Sequence, residues 1–303
     1  KEDGRGTKAM RRQKIYKKVK KDSKAAYLFL LPVTVLLAAF MFWPILQSFI
    51  RSVQGQTGEF IGLENFRLFL TETRFGNNVK NTIVYVVSAV ILIIPVGLLA
   101  AHLITDESRL VCIIRPMYLI PWVIPYVCSS ILFRSLFNGQ GPVSQLLYRV
   151  TGKEILFLSN PKYAIVVIIL HQFWRSVPFA MLFIAAGLTT IPRGLYEAAS
   201  IDGAGGWKQF LYITLPILKP HIFIVTLMVT NGALQDAESI WTITGGGPGT
   251  ATETLALRLF KDSYKSFDLN SASVLGVVLL LIACIFIFIY SRIMKNMEED
   301  IYE

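Results

Sequence analysis

Long apolar segments alternate with short polar ones along this 303-residue chain. Positions 25–50 contain no Asp, Glu, Lys or Arg, and the same holds for positions 81–104. A helix needs about 20 apolar residues to cross the roughly 30 Å of hydrocarbon in a bilayer. Because lipid offers the backbone no hydrogen-bond partner, such segments must be helical. The pattern predicts six transmembrane helices, at about 25–50, 79–104, 112–137, 162–188, 218–242 and 272–293.

The composition supports a membrane protein rather than a soluble domain. Hydrophobic residues make up 53% of the chain and charged residues only 17%. Soluble chains usually carry about 25% charged residues. We therefore expect an all-α membrane protein.

The excess of positive charge is concentrated at the N-terminus. The net charge is +10, and 11 Lys and Arg residues lie within positions 1–24. A basic cluster directly before a first transmembrane helix normally marks the cytoplasmic side and suits anionic lipid headgroups. We interpret it as a topology signal rather than a nucleic-acid-binding surface, so both termini of a six-helix chain are expected in the cytoplasm. The chain then divides into a basic tail at 1–24, a transmembrane region at 25–293 with an inward-facing segment at 189–217, and a C-terminal tail at 294–303.

Several of the predicted transmembrane helices contain proline. Proline removes a backbone hydrogen bond and kinks a helix, which membrane bundles tolerate. Such kinks can open a cavity or permit rearrangement, but prolines are also simply common in transmembrane helices. Both readings stay open for Pro32, Pro44, Pro95, Pro121, Pro125 and Pro178.

The three cysteines, Cys112, Cys128 and Cys284, all lie in apolar segments. None belongs to a CxxC pair or a His/Cys cluster, so neither a metal site nor a redox site is predicted. We expect them to act as small buried hydrophobic residues.

The inward-facing segment after the fourth predicted helix carries helix and turn signals. Thr190 is placed to cap a helix whose first turn holds Pro192. That helix, at about 192–202, ends in a glycine-rich break at 203–206, where positive φ angles are accessible. A second short helix at about 207–215 leads into the next transmembrane helix. We infer a rigid helix–turn–helix that docks into a groove on a soluble partner. The alternative is an ordinary interhelical loop, but the length of the segment and its ordered helix and turn signals argue against a simple loop.

The letters EAASIDGAGGWKQFLYITLPIL, which begin at Glu197, resemble the EAA loop of permease subunits from binding-protein-dependent ABC importers. The resemblance implies a MetI-like, type I bundle of six transmembrane helices, whose loop inserts as a coupling helix into a cleft of an ATPase subunit. It implies as partners a second, related permease, two ATPase subunits and an extracytoplasmic solute-binding protein. ATP and magnesium would be bound by the ATPase subunits, and no cofactor by this chain. The implied ATPase contacts are Glu197, Ala198, Ala199, Asp202, Gly203 and Ala204.

Further motifs resemble the carbohydrate-uptake class of these importers, the maltose type. They are Gly62–Phe66, Asn81–Thr82, T-G-G-G-P at 244–248 and T-E-T-L at 252–255. The last two, in this order and at this spacing, favour a sugar or oligosaccharide as substrate. One departure is the sequence at 236–239, DAES, where the family more often has an aromatic residue followed by Asp. This departure weakens the assignment of a substrate by analogy, but it does not weaken the assignment to the carbohydrate-uptake class.

Polar residues inside the fourth and fifth predicted helices are candidates for lining a solute pathway. Ionisable groups in a membrane helix are expensive and usually face a cavity or a partner. Asn231, Gln235 and Glu238 recur at helical spacing and share one face. Sugars bind through hydrogen bonds and stacking on aromatic rings, and Arg175 would suit an acidic sugar; the alternative is interhelical contact, within the chain or to a second permease. The candidates are His171, Trp174, Arg175, Asn231, Gln235, Glu238 and Trp241.

No phosphate-binding loop of the form G-x-x-x-x-G-K-[ST] occurs in the sequence. Gly152 and Lys153 do not form one, because Leu147 stands at the first glycine position and Glu154 replaces Ser or Thr. Since no HExxH motif or nucleophile–base pair is present either, we expect a transport subunit of the bacterial inner membrane and not an enzyme. The alternatives are an ABC permease for another solute, such as a glycerol phosphodiester, and an ion-coupled secondary transporter, which would usually show inverted repeats.

Overall fold

The computed structural model describes residues 27–104 and 109–302, which fold into helices joined by short loops. The predicted basic tail at 1–24 lies outside the described residues. Two helices, the first and the ninth, each contain one π-helical turn, at Ala38–Phe42 and Phe210–Thr214. In chain order the helices are α1 (Tyr27–Ser52), α2 (Glu64–Thr71), α3 (Thr73–Ile104), α4 (Arg109–Val123), α5 (Tyr126–Phe137), α6 (Pro142–Thr151), α7 (Pro161–Leu188), α8 (Arg193–Ile201), α9 (Gly206–Gln235), α10 (Glu238–Thr244), α11 (Leu255–Tyr264) and α12 (Leu269–Tyr302).

Within the described ranges, five helices are long and apolar enough to cross a membrane: α1, α3, α7, α9 and α12. Their positions agree with five of the six predicted spans, and the largest differences are at helix ends. Helix α3 begins before the predicted position 79, and α12 continues to Tyr302 through the segment predicted as a C-terminal tail.

The third predicted span is not one straight helix. The segments Pro116–Val123 and Tyr126–Thr151 are bent by 96° across the break between them. Pro125 lies in this break with an extended backbone and immediately precedes α5. A proline disfavours helical backbone at the residue before it, which here is Ile124. The continuous helix expected at 112–137 is therefore wrong, and a sixth span exists only if this bent pair is counted as one crossing.

The fifth predicted span has different bounds from those expected. The separate short helix at 207–215 and the span at 218–242 were expected to meet at Pro216, but α9 is continuous from Gly206 to Gln235. A π-helical turn directly precedes Pro216, whose missing N–H leaves a carbonyl of the preceding turn without its partner. At its other end α9 stops at Gln235, because Asp236 and Ala237 interrupt the helix before α10.

The core of the bundle lies between α3 and α7, which contact each other more extensively than any other two helices in the described residues. Tyr85 and Ile93 of α3 and Met181 and Ile184 of α7 are fully buried. A Cβ atom added at Gly97 would lie 2.7 Å from the Cβ of Ala180. A glycine at position 97 thus permits the close approach of these two helices, as small residues do in membrane bundles.

The outward faces of the long helices are apolar. Helix α1 is the extreme case, because no residue of its most hydrophobic window is buried within the chain. Cys128 and Cys284 are exposed as well, so the expectation of buried cysteines is wrong for both; the side chain of Cys112 lies outside the described residues. Apolar side chains need not face the core when lipid surrounds the bundle.

Candidate coupling segment and solute pathway

The segment 189–217, hereafter the coupling segment, contains α8 and a tight turn into α9. The Gly203 N–H donates to the Ser200 carbonyl (3.1 Å) and the Ala204 N–H to the Ala199 carbonyl (2.8 Å). Gly203 itself has φ +76°. These two bonds and the left-handed residue form a Schellman motif, in which glycine is the favoured residue. The glycine of the EAA sequence therefore has a conformational reason for its position.

The predicted helix at 192–202 agrees with α8, Arg193–Ile201, to within one residue at each end. The predicted cap is wrong. Pro192 occupies the N-cap position, and the Thr190 hydroxyl donates instead to the carbonyl of Gly187 (2.7 Å). Thr190 directly follows the turn that ends α7, where a preceding helical carbonyl is closer than the first N–H groups of α8.

Helix α9 braces the turn of the coupling segment from one side. The side-chain amide of Gln209 donates to the Ser200 hydroxyl (2.9 Å) and to the Ala204 carbonyl (3.0 Å). The Tyr196 and Thr214 hydroxyls lie 2.8 Å apart and share a hydrogen bond. The turn is thus tied to the first part of a transmembrane helix, so a force on α8 can reach α9.

The coupling segment exposes apolar side chains that no part of the described chain covers. Ile201 is 87% exposed, Tyr212 78% and Trp207 72%. Among the predicted ATPase contacts, Ala199 and Ala204 are half-buried and the others are exposed: Glu197, Ala198, Asp202 and Gly203. Contiguous exposed apolar surface of this kind marks a protein or membrane contact.

Two of the predicted pathway residues pack into the chain's own core. His171 is fully buried, and its Nε2 lies 3.0 Å from the Ser129 hydroxyl of α5. Trp174 is half-buried, with its ring centroid 5.4 Å from that of Phe133. In this structure both side chains make interhelical contacts between α7 and α5, which is the alternative that the sequence left open.

The predicted stripe on the fifth span is interrupted between Gln235 and Glu238, because the residues between them are not helical. Asn231 and Gln235 are exposed and hydrogen-bonded to each other at 2.8 Å. Gln235 and Glu238 nevertheless line one cavity of about 540 Å³, together with Tyr126 and Phe260. Tyr126, Gln235 and Glu238 directly flank the two helix breaks, at 124–125 and 236–237. The breaks therefore form part of the cavity wall.

Trp241 lies beside this cavity rather than in it. It lines a second cavity of about 540 Å³, and its ring lies 4.2 Å from the Lys265 Nζ. Phe260 separates the two spaces, with its ring centroid 5.8 Å from that of Trp241. An aromatic wall of this kind suits stacking with a sugar ring.

Asp236 was not predicted as a site residue, although it shapes the helix break. Its buried carboxylate accepts hydrogen bonds from the Tyr85 hydroxyl (2.6 Å), the Ser239 N–H (3.1 Å) and the Ser239 hydroxyl. An acidic residue three positions before a serine is a signal for a helix start. Reading DAES as such a signal would have located the break at 236–237.

Arg175 borders a smaller cavity of about 140 Å³ in the interior of the bundle. The guanidinium donates to the carbonyls of Pro121 (3.3 Å) and Ile124, and it lies 3.7 Å from the centroid of the Tyr126 ring. Tyr126 and Gly232 line both this cavity and the 540 Å³ cavity beside Gln235. The two spaces therefore adjoin.

The T-E-T-L motif lies in an ion-pair network around the buried Glu253, hereafter the outer polar cluster, whose other members range from buried to half-exposed: Glu72, Arg74, Asn78, Arg258 and Lys261. The Glu253 carboxylate, 1% exposed, pairs with the Arg74 Nε (2.8 Å) and the Lys261 Nζ (2.7 Å), and accepts from the Asn78 amide (3.0 Å). Burial alone would raise the pKa of Glu253, but these three hydrogen bonds outweigh burial and lower the pKa to about 2. Arg258 pairs with Glu72 at 2.6 Å in the same cluster.

The neighbouring Asn81–Thr82 motif serves the same loop. The Asn81 amide donates to the carbonyls of Thr250 (2.9 Å) and Glu253 (3.1 Å), and the Thr82 hydroxyl accepts from the Leu255 N–H (2.9 Å). Both motifs were noted in the sequence only as marks of a family. In the structure they join the start of α3 to the loop before α11.

Residues 93–301 match the protein family described as binding-protein-dependent transport system inner membrane component. The chain is 33% identical over 284 residues to the sulfoquinovosyl glycerol transport system permease protein of Agrobacterium fabrum, covering 91% of this chain and 92% of that protein. It is 34% identical over 268 residues to the lactose transport system permease protein of Rhizobium radiobacter, covering 85% and 90%. Its fold resembles a chain of a bacterial ABC transporter involved in import of the acidic polysaccharide alginate, with a TM-score of 0.83, 20% identity and coverage of 93% and 99%.

Proposed function

Because the chain belongs to the family of binding-protein-dependent transport system inner membrane components, we propose that it forms one half of the pathway of an ATP-driven importer of sugars or oligosaccharides. A second, related permease supplies the other half. An extracytoplasmic binding protein delivers the solute, and two ATPase subunits bind ATP and magnesium. The named substrates of two relatives, lactose and sulfoquinovosyl glycerol, support a carbohydrate.

The observation that carries the proposal is the exposed coupling segment. Its Schellman turn and its bonds to α9 give it a fixed shape, while Ile201 and Trp207 remain uncovered by the described chain. We assign it to a cleft of the ATPase, with Glu197, Ala198, Ala199, Asp202, Gly203 and Ala204 as contacts. Movement of the ATPases is transmitted through α8 into α9.

Alternating access follows from this connection. Helix α9 carries the coupling segment at one end and the break at 236–237 beside the 540 Å³ cavity at the other. A displacement of α9 therefore changes the walls of that cavity, in which Gln235 and Glu238 offer hydrogen bonds to a sugar. We place both termini and the coupling segment in the cytoplasm of a bacterial cell, with the outer polar cluster on the opposite side of the inner membrane.

The proposal is tested on the complete complex in proteoliposomes with its binding protein. ATP hydrolysis is measured while neutral and acidic mono- and oligosaccharides are added, with glycerol phosphodiesters as the competing solute class. We expect at least one saccharide to stimulate hydrolysis and vanadate to stop its uptake. Stimulation by glycerol phosphodiesters alone, or uptake that resists vanadate and follows an ion gradient, would contradict the proposal.

A further inference from the structure

Arg175 is a buried cation without an anionic partner in the described chain. It lies near the middle of α7, is 9% exposed, and has no carboxylate oxygen of a described residue within 4.0 Å. One terminal nitrogen donates to the Pro121 and Ile124 carbonyls, and the Tyr126 side chain also contacts the guanidinium. The buried Asp236 carboxylate acts on it only from beyond ion-pair distance. Charged groups at membrane depth normally pair or mark a solute route. The guanidinium thus retains N–H groups for a bound anion.

Gln172 provides a second, independent sign of a ligand in the same place. Its side chain is 3% exposed, and its Oε1 has no hydrogen-bond partner in the described chain. A buried carbonyl oxygen without a donor costs free energy, and native structures rarely leave one. Both Gln172 and Arg175 line the 140 Å³ cavity, so a residue with an unmet acceptor and a cation without an ion pair border one space.

The remaining walls of this cavity are aromatic. Trp122 and Phe179 border it, with ring centroids 6.0 Å apart, and Tyr126 separates it from the larger cavity. The space has room for several water molecules, at about 30 Å³ each, or for the acidic end of one sugar residue. Its position beside the larger cavity makes it accessible from the pathway.

We propose that this cavity is a subsite for the acidic group of a charged saccharide. The carboxylate or sulfonate accepts hydrogen bonds from the free N–H groups of Arg175, and a sugar hydroxyl bonds to the side-chain amide of Gln172, which turns towards the bound sugar. The ring of the same residue packs on Trp122 and Phe179. The inference rests on the proposed transport of saccharides and specifies their charge.

A purely structural role for Arg175 makes a different prediction. The guanidinium holds the two carbonyls at the α4–α5 break, so its loss could disturb the bundle without any effect on charge selection. Binding of an acidic sugar and of its neutral counterpart would then fall by the same factor. Only a subsite for the acidic group changes the ratio of the two affinities.

The test measures equilibrium binding to the purified, nucleotide-free complex by calorimetry. The probes are disaccharides of glucuronate, galacturonate and mannuronate, each paired with its methyl ester, and a 6-sulfonated glucoside paired with the neutral glucoside. We expect at least one acid to bind about tenfold or more tightly than its neutral counterpart, since a hydrogen bond to a charged group contributes about this factor.

Two variants and one control separate the explanations. Arg175→Gln removes the cation, and Gln172→Glu supplies an internal carboxylate beside it without a change of size; each should bring the affinity ratio close to one. Arg149→Gln, which removes an exposed arginine of α6, should keep the ratio.

Three outcomes would overturn the inference: no acid preferred in any pair, a ratio unchanged by both variants, or equal loss for acid and ester. If the complex responds to neutral sugars and prefers no acid, the proposed function stands and the inference fails. If no saccharide stimulates ATP hydrolysis at all, the proposed function fails as well.

Discussion

The outer polar cluster and the coupling segment both carry motifs that mark the family, yet they are built in opposite ways. In the cluster, Glu253 is 1% exposed and meets three donors from its own chain. In the coupling segment, Ile201 is 87% exposed and meets none of the described chain. The first motif joins two parts of one subunit, and the second leaves a surface uncovered, which we propose meets another subunit. The sequence motif marks each segment as characteristic of the family. The burial of its side chains then distinguishes a contact within the chain from a surface left open to a partner.

The difference predicts different consequences of mutation. Loss of the buried Glu253 carboxylate leaves Arg74 and Lys261, both partly exposed, without their common acceptor, which destabilises the fold. Changes on an exposed surface leave the fold largely intact and affect only the contact made there. Stability and ATPase binding should thus respond to separate sets of variants.

The largest effect is expected for Glu253→Ala. Arg74 and Lys261 would lose their common partner, and because both cations are partly exposed the free energy of unfolding should fall by about 1–3 kcal/mol, the contribution of hydrogen bonds to a charged group. Titration of the purified protein with SDS in mixed micelles measures this change. Glu64→Ala is the matched control, because Glu64 pairs with Arg67 at 3.9 Å on the surface, where a pair contributes about 0–1 kcal/mol. Equal effects of the two substitutions would contradict the stabilising role of the cluster.

The same carboxylate should make stability depend on pH. Its pKa is about 2 in the folded state and ordinarily 4.5, so the unfolded chain binds the proton more readily. The stabilisation is complete above pH 4.5 and is lost as the pH falls towards about 2. The difference in unfolding free energy between the wild type and Glu253→Gln should therefore be constant above about pH 5 and shrink below it. A difference that stays constant down to pH 2.5 would rule out this assignment.

Next in size is Gly203→Asp in the coupling segment. The substitution forces a side chain onto a residue with φ +76° and adds charge to the proposed ATPase contact. We expect co-purification of the ATPase and solute uptake to fall by about tenfold or more, as a strained turn and an altered contact each cost about 1 kcal/mol or more. Membrane insertion and SDS stability should change little.

Gly203→Asn serves as the control for this variant, because asparagine tolerates the left-handed conformation. It should retain most of the ATPase binding. Aspartate tolerates this conformation nearly as well and differs mainly in charge, so equal losses in Gly203→Asp and Gly203→Asn would show that the added charge is not the cause.

The smallest effect is expected for Gln209→Ala, which removes both bonds from α9 to the turn. Each exposed bond contributes about 0.5–1 kcal/mol, so ATPase affinity should weaken by roughly threefold to tenfold. Lys208→Ala, at an exposed neighbour that makes no such bonds, is the comparison. Unchanged affinity in Gln209→Ala would show that α9 does not brace the turn.

Most long helices could be predicted from the sequence because hydrophobic length alone determines them. The bounds of α7 and α8 agree with the sequence to within one residue, since their ends carry clear turn signals: Asn160 and Pro161 before α7, and Gly203 after α8. The two helix breaks could not be predicted from length. The break at Pro125 lies between apolar residues on both sides, and the break after Gln235 is signalled by the sequence DAES, which hydrophobic length does not register.

The coupling residues followed from a contiguous motif, whereas the environment of the pathway did not. The sequence could not show that His171 packs on α5, because helical spacing does not reveal which neighbour a face meets. Gln172, Trp122 and Phe179 were visible in the sequence as a polar residue and as parts of family motifs, but they were not assigned to the pathway because they meet only when α4, α5 and α7 are assembled. Arg175 and Gln235, found by their polarity in apolar helices, do border cavities.

Site-directed cross-linking of the coupling segment to the ATPase tests the central claim most directly. With Cys112, Cys128 and Cys284 replaced by serine, Ala198→Cys is introduced and labelled with a maleimide that carries a photoactivatable benzophenone, which needs no cysteine on the partner, and the assembled complex is irradiated. We predict a covalent product with the ATPase whose yield changes when ATP is bound, and none from Thr57→Cys in the loop after α1. The absence of a product at position 198 in an active complex, or an equal yield at position 57, would contradict the account.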